Sequence, residues 1–156
     1  MADGHPYPLP DSDSSEFWEA LRRHELMVGH CPACDTDFFY PRQRCPACGS
    51  LAQLVAVSGR GHIYSWTRVH RAPPAFRDEA PYVVVLVELD EGPRLMSRLA
   101  GAAERTPHVG EPVRVEFRDA VVDADGGSFT LPWFVRDESR ADASWSRQAF
   151  PSETET

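Results

Sequence analysis

Apolar and charged residues alternate one for one over 113–118, with Val113, Val115 and Phe117 on one side and Arg114, Glu116 and Arg118 on the other. That is the period of a strand with one buried face. Strand-sized runs also lie at 62–70, 82–89, 94–99 and 128–134, and the turn Asp90-Glu91-Gly92-Pro93 joins the second of these five strands to the third. No strand alternates with a helix-length segment, which argues against a parallel α/β sheet. Five short antiparallel strands over 55–136 suit a Greek-key barrel of OB type, with an SH3-like barrel or a small sandwich as the alternative.

The pattern before the barrel differs. Residues 1–14 are rich in Pro and Asp and are expected to be extended, and 15–30 is assigned to a helix. Its periodic part, 15–26, has Phe17, Trp18, Leu21 and Leu26 as an apolar stripe. Asp13, Ser14 and Ser15 are candidate N-caps, and Glu16 and Glu19 suit the positive end. A solvated helix would not carry Phe next to Trp, so this face packs on its own domain or docks on a partner. Residues 137–156 form a polar tail that is either disordered or, through Trp145 and Phe150, a docking segment.

Between helix and barrel, at 31–54, lies all the cysteine of the chain: Cys31, Cys34, Cys45 and Cys48, spaced C-x2-C-x10-C-x2-C, each pair written Cys-Pro-Ala-Cys. Two such knuckles aim four thiolates at one point, the closed tetrahedral shell of structural Zn²⁺, with no open position for catalysis. Disulfides or a redox dithiol fit poorly, because the first fifteen residues contain no apolar stretch that would direct export to an oxidising compartment. Four-thiolate iron of the rubredoxin kind has the same ligand set, and an electron carrier stays open on spacing alone. His30, beside Cys31, is read as a surface histidine rather than a ligand.

At 156 residues and 42% hydrophobic, the chain can bury one modest core plus a small metal-stabilised module. Its longest apolar run, 82–87, is far short of the ~20 residues of a membrane helix, so a cytoplasmic location is expected. The net charge of −8 argues against nucleic acid and anionic membranes, yet the charge is uneven. Residues 22–77 hold eight arginines against three acids, about +5, and the remainder about −13. Every basic residue is Arg: guanidinium forks suit phosphate, and no lysine exists for Schiff-base chemistry.

The densest chemistry follows Gly59 and Gly61. Period-two alternation places Tyr64, Trp66, Arg68 and His70 on one strand face, and the Pro-rich loop adds Arg71, Phe76 and Arg77. Aromatic platforms beside guanidinium forks suit a ligand with an adenine ring and several phosphates. The competing reading makes Tyr64 and Trp66 barrel core and the arginines a solvated rim. His70 is the one histidine in this segment placed to act as acid, base or polar contact. With the thiols committed to metal, and no Gly-x-Ser-x-Gly elbow, no catalytic residue is nominated.

Phe17-Trp18-Glu19, the four cysteines, Val57-Ser58-Gly59-Arg60-Gly61, Tyr64-Ser65-Trp66-Thr67, Val69-His70-Arg71-Ala72-Pro73, Pro81-Tyr82-Val83-Val84, Val87-Glu88-Leu89-Asp90-Glu91-Gly92-Pro93-Arg94-Leu95 and Leu131-Pro132 occur in that order. Over about 15–136 the chain thereby resembles the zinc-ribbon/OB-fold family long called domain of unknown function 35. Members of that family accompany thiolase-superfamily enzymes, including acyltransferases and the aldolases that cleave steroid side-chain CoA thioesters. The resemblance implies a non-catalytic, zinc-binding subunit that binds acyl-CoA and partners a thiolase or aldolase, with retro-aldol cleavage of a bulky acyl-CoA favoured. On that reading Arg60, Arg71 and Arg77 would take the CoA phosphates, and Trp66, Phe76 and Tyr82, with Tyr64 and His70, would line the ligand path. Phe17, Trp18, Phe38, Phe39, Tyr40, Trp145 and Phe150 would face the partner. A single-stranded nucleic-acid-binding ribbon–OB protein is the alternative in a different class.

Overall fold

The computed structural model describes residues 11–102, 105–121 and 128–140. One helix, α1 (Ser15–Arg22), leads into a three-stranded sheet of β1 (Met27–Cys31), β2 (Thr36–Phe38) and β3 (Gln53–Ala56), ordered β2-β1-β3. A closed barrel follows: β4 (Arg60–Val69), β5 (Tyr82–Leu89), β6 (Arg94–Leu99), β7 (Pro112–Val121) and β8 (Ser128–Arg136), ordered β4-β5-β6-β8-β7 with β7 returning to β4. All barrel neighbours are antiparallel except β6 and β8, which run parallel and meet at Leu99 and Phe134. This is the OB topology expected from the strand pattern.

The helix is shorter than the 15–30 expected. Arg23 and Glu25 close it by donating to the Ala20 carbonyl, His24 takes φ 59°, and residues 27–31 are already strand. The sequence Met27-Val28 belongs to the central ribbon strand, whose pairing on both edges outweighs continued helix. Ser14 occupies the N-cap position with its hydroxyl tied back to Asp11 at 2.6 Å, so 11–14 is a turn rather than extended chain.

The core lies inside the barrel and continues under the helix. Ile63, Val83, Val85, Val87, Leu95, Leu99, Val113 and Phe134 fill the barrel, and Phe17, Leu21, Leu26 and Val28 extend the same cluster towards the ribbon. Each such side chain contributes on the order of 1.5–3 kcal/mol on burial. Two glycines let β4 run where it does. Gly59 adopts φ +71°, and a Cβ on Gly61 would lie 2.2 Å from the Glu88 carbonyl oxygen.

Ribbon, helix and barrel are joined by aromatic side chains. Phe17 makes edge-on contacts with Trp18, Phe39 and Tyr40 at 5.2, 5.7 and 5.4 Å between ring centres. Trp18 meets Phe129 of β8 at 4.7 Å. The helix therefore lies between the ribbon's second half-turn and the barrel wall.

Candidate metal centre and ligand-binding face

The two knuckles have the same local conformation. Asp35 N–H donates to the Cys31 carbonyl and Gly49 N–H to the Cys45 carbonyl, at 2.8 and 2.9 Å, and both residues take positive φ, 52° and 75°. These turns converge the sulfurs: Cys31–Cys48 is 3.5 Å, Cys34–Cys45 3.6 Å, and all four Sγ atoms lie within 4.8 Å of one another. A tetrahedral zinc bonded at about 2.3 Å to each sulfur requires separations of about 3.8 Å, so the shell fits the ion. Without metal the thiols share protons unequally. Hydrogen bonds from Ser50 hold Cys48 down at about 6. The Thr36 hydroxyl acts to lower Cys34, but the other sulfurs and burial outweigh it and push Cys34 up to about 12. His30 is not a ligand: its Nδ1 lies 2.7 Å from Asp37 across the β1–β2 pair.

Several predicted partner-facing residues are committed within the chain. Phe17 is 1% exposed and Phe38 8%, with Phe38 packed beside Cys31 and Cys45 over Gly29. Phe17 belongs to the main core with Leu21, Leu26 and Val28, and Phe38 forms a smaller cluster with the two buried cysteines. Trp18 and Phe39 are half-buried and Tyr40 is exposed, while Trp145 and Phe150 lie outside the described residues.

The predicted ligand face is divided. A bulge between Ile63 and Ser65 breaks the alternation at Tyr64. Ile63 and Trp66 both pair with buried valines, Val87 and Val85, whereas the Tyr64 ring lies 3.6 Å from the guanidinium of Arg94, on the opposite face of β6 from buried Leu95. Tyr64 thus parts from Trp66 and Arg68. Arg60 opens β4 and Arg71 lies two residues past its end, roughly 30 Å of strand apart, too far to share one phosphate group. Arg60 is moreover paired with the buried carboxylate of Asp137 at 3.7 Å. His70, Arg71 and Arg77 are exposed.

What the fold brings together instead is centred on Arg98 of β6. Its guanidinium stands 3.9 Å from the ring centre of Tyr82, 5.1 Å from Phe76 and 5.3 Å from Trp133, and is ion-paired with Glu79. Arg118 covers Trp133 at 4.2 Å, and Arg68 donates to the Ala102 carbonyl at 3.3 Å. Tyr82 and Phe76 were predicted for this role; Arg98, Arg118 and Trp133 were not. The signal available for Arg98 was the period-two stripe Arg94, Met96, Arg98 on β6, and for Arg118 the polar face Arg114, Glu116, Arg118 of β7.

Two depressions adjoin at Arg98. A cleft of about 260 Å³ holds Arg68, Tyr82, Arg98, Arg118 and Trp133. A larger chamber of about 830 Å³ is bounded by Trp18, Phe39 and Tyr40 on the helix and ribbon side and by Leu86, Met96, Leu131 and Trp133 on the barrel side. Arg98, Glu79 and Trp133 border both.

A cysteine-closed ribbon joined to an OB barrel defines the class of the molecule: a zinc-ribbon/OB-fold protein. Residues 18–53 match the family model of the ChsH2 rubredoxin-like zinc ribbon domain, and 54–118 that of the ChsH2 C-terminal OB-fold domain. The chain is 39% identical over 131 residues to a probable enoyl-CoA hydratase alpha subunit of Thermomonospora curvata, covering 83% of this chain and 39% of the relative. It is 33% identical over 116 residues to the 3-oxo-4,17-pregnadiene-20-carboxyl-CoA hydratase alpha subunit of Mycobacterium tuberculosis, covering 72% and 36%. It thus spans little more than a third of the length of these two relatives. Among solved structures, a chain of the Ltp2-ChsH2(DUF35) aldolase is 37% identical and superposes with a TM-score of 0.70, over 83% of this chain and 98% of that one. The chain belongs to the DUF35 family, with the ribbon and barrel of its ChsH2 branch, and its cysteine shell is a structural zinc site.

Proposed function

We propose that this chain is a non-catalytic subunit of a complex that acts on acyl-CoA thioesters. Its partner is a thiolase-superfamily enzyme that carries out retro-aldol cleavage of a bulky, steroid-side-chain type of acyl group, and the chain contributes to holding the CoA ester. The observation that carries this reading is the likeness to a chain of an aldolase complex over nearly that chain's whole length. The committed thiols support it, since the four cysteines of the sequence all serve the metal. A hydratase partner is the second reading, favoured by the two alpha-subunit relatives.

The test is affinity purification of the tagged chain from its native host, with mass spectrometry of what co-purifies and metal analysis of the same sample. A stoichiometric thiolase-family protein with one zinc per chain is the expected result. A hydratase-fold partner would replace the first reading by the second, and zinc with neither partner would overturn both.

A further inference from the structure

The acyl-CoA reading leaves open where on this chain such a ligand would lie, and the two adjoining depressions differ in chemistry. The cleft is lined by three guanidinium groups, of which Arg98 lies over the Tyr82 ring and Arg118 over the Trp133 ring, with Arg118 also ion-paired through Nε and Nη2 to the partly exposed Glu116. A guanidinium stacked on a ring keeps its N–H edges directed sideways, where a phosphate accepts two hydrogen bonds in one plane. The chamber is mainly aromatic and aliphatic, with a volume in the range of small-molecule sites. Both share Arg98 and Trp133, so a molecule lying across that border would meet charge at one end and apolar surface at the other.

Arg98 is 17% exposed and its charge is matched within the chain by Glu79, on the 3-10 turn Pro74–Glu79. Glu79 is 38% exposed and borders both depressions. A partly solvated carboxylate facing a more enclosed guanidinium occupies the position that a ligand's anion would take. Removing it to water costs little, because an exposed carboxylate regains its hydration.

We infer that cleft and chamber form one site for an amphiphile, with an anionic phosphate head at Arg68, Arg98 and Arg118, a bulky apolar body in the chamber, and Glu79 on Arg98 and Glu116 on Arg118 as the internal counter-ions that the head replaces. The inference rests on the acyl-CoA reading and moves the phosphate contacts from Arg60, Arg71 and Arg77 to these three arginines. Glu79 then sets affinity and selectivity: an uncharged amphiphile cannot displace it, and a multiply charged head can.

The test is calorimetric titration of the full zinc-loaded chain with CoA, as the head alone, and with octanoyl-CoA. Arg118→Gln should weaken both probes by about tenfold, the loss of one charged hydrogen bond. Glu79→Gln should tighten both several-fold. Met96→Asp, at a chamber position 71% exposed and so harmless to folding, should weaken octanoyl-CoA and leave CoA unchanged. Binding of both probes with no response to Arg118→Gln, or a weakening by Glu79→Gln, would overturn the site while leaving the acyl-CoA reading intact. Failure of the wild-type chain to bind either probe would overturn the site and the claim that this chain holds the ester. The partner reading would then stand or fall on co-purification alone.

Discussion

Replacing Phe17 by Ala tests whether the helix fastens the ribbon to the barrel. Phe17 is fully enclosed and meets three aromatic rings edge-on, two of them from the ribbon. Truncation of a buried Phe costs about 3–5 kcal/mol. The lost edge-on partners, about 0.5–1.5 kcal/mol each, form part of that cost, and the middle of the range, near 4 kcal/mol, is expected. Domains of this kind are stable by about 5–15 kcal/mol, so the variant should fold but with little reserve. For a urea slope of about 2 kcal/mol/M the midpoint should fall by about 2 M. The assay is equilibrium unfolding of the zinc-loaded chain followed by tryptophan fluorescence, with Phe17→Leu as the control that keeps much of the volume, loses the ring contacts and should cost clearly less than Phe17→Ala. A fall of less than about 0.5 M for Phe17→Ala would show that the ring is not enclosed in solution and that the ribbon is held by other means.

Three further outcomes are expected. Cys31→Ser, or removal of zinc by a chelator, should melt the ribbon, withdrawing on the order of 10 kcal/mol of metal-binding energy, as read by far-ultraviolet dichroism with zinc quantified in parallel; a folded ribbon at zero zinc would contradict it. Gly61→Ala drives a Cβ into the β5 backbone and should destabilise by about 3 kcal/mol, whereas Gly49→Ala, where nothing lies near, should lose only what its positive φ demands; thermal melts would reveal equal losses if the close approach were wrong. His62 has its pKa lowered from 6.5, by burial first and then by Arg140, against the opposing pull of Asp90 and Glu88. The folded state therefore resists a proton that the unfolded chain accepts, so this contribution to stability is complete above pH 6.5 and is lost as pH falls from there towards the folded value. His62→Gln should flatten the stability profile in that window, and an unchanged slope would exclude His62 as its source.

The barrel was legible because strands with one wet face declare their period. The bounds of β5 and β6 coincide with the runs read from sequence, and the turn expected between them is there, with Gly92 at positive φ. The helix end was not legible, since the choice between another helical turn and strand at Met27 depends on β3, more than twenty residues away. The bulge at Tyr64 was hidden for a related reason: an extra residue in β4 is defined only by the count of residues in β5 opposite it. Every reading that relied on unbroken alternation from Tyr64 to His70 inherited that error. The metal shell was fully legible, being local in sequence. The Arg98 cluster was not, because it gathers Phe76, Tyr82, Arg98 and Trp133 from four segments that only barrel closure brings together.

The wall of the chamber is not all barrel. Phe39 and Tyr40 follow directly on the ribbon's second strand, and Trp18 is held against them by Phe17, so one side of the apolar space exists only while the cysteines are gathered. The zinc shell and the shape of that space are thereby expected to be thermodynamically linked, although none of the four cysteines lines the chamber. By reciprocity, whatever fills the chamber raises the affinity for zinc by the same factor by which zinc raises the affinity for it. A chain short of metal would then lose its apolar pocket before its barrel, and filling that pocket would slow the escape of the ion.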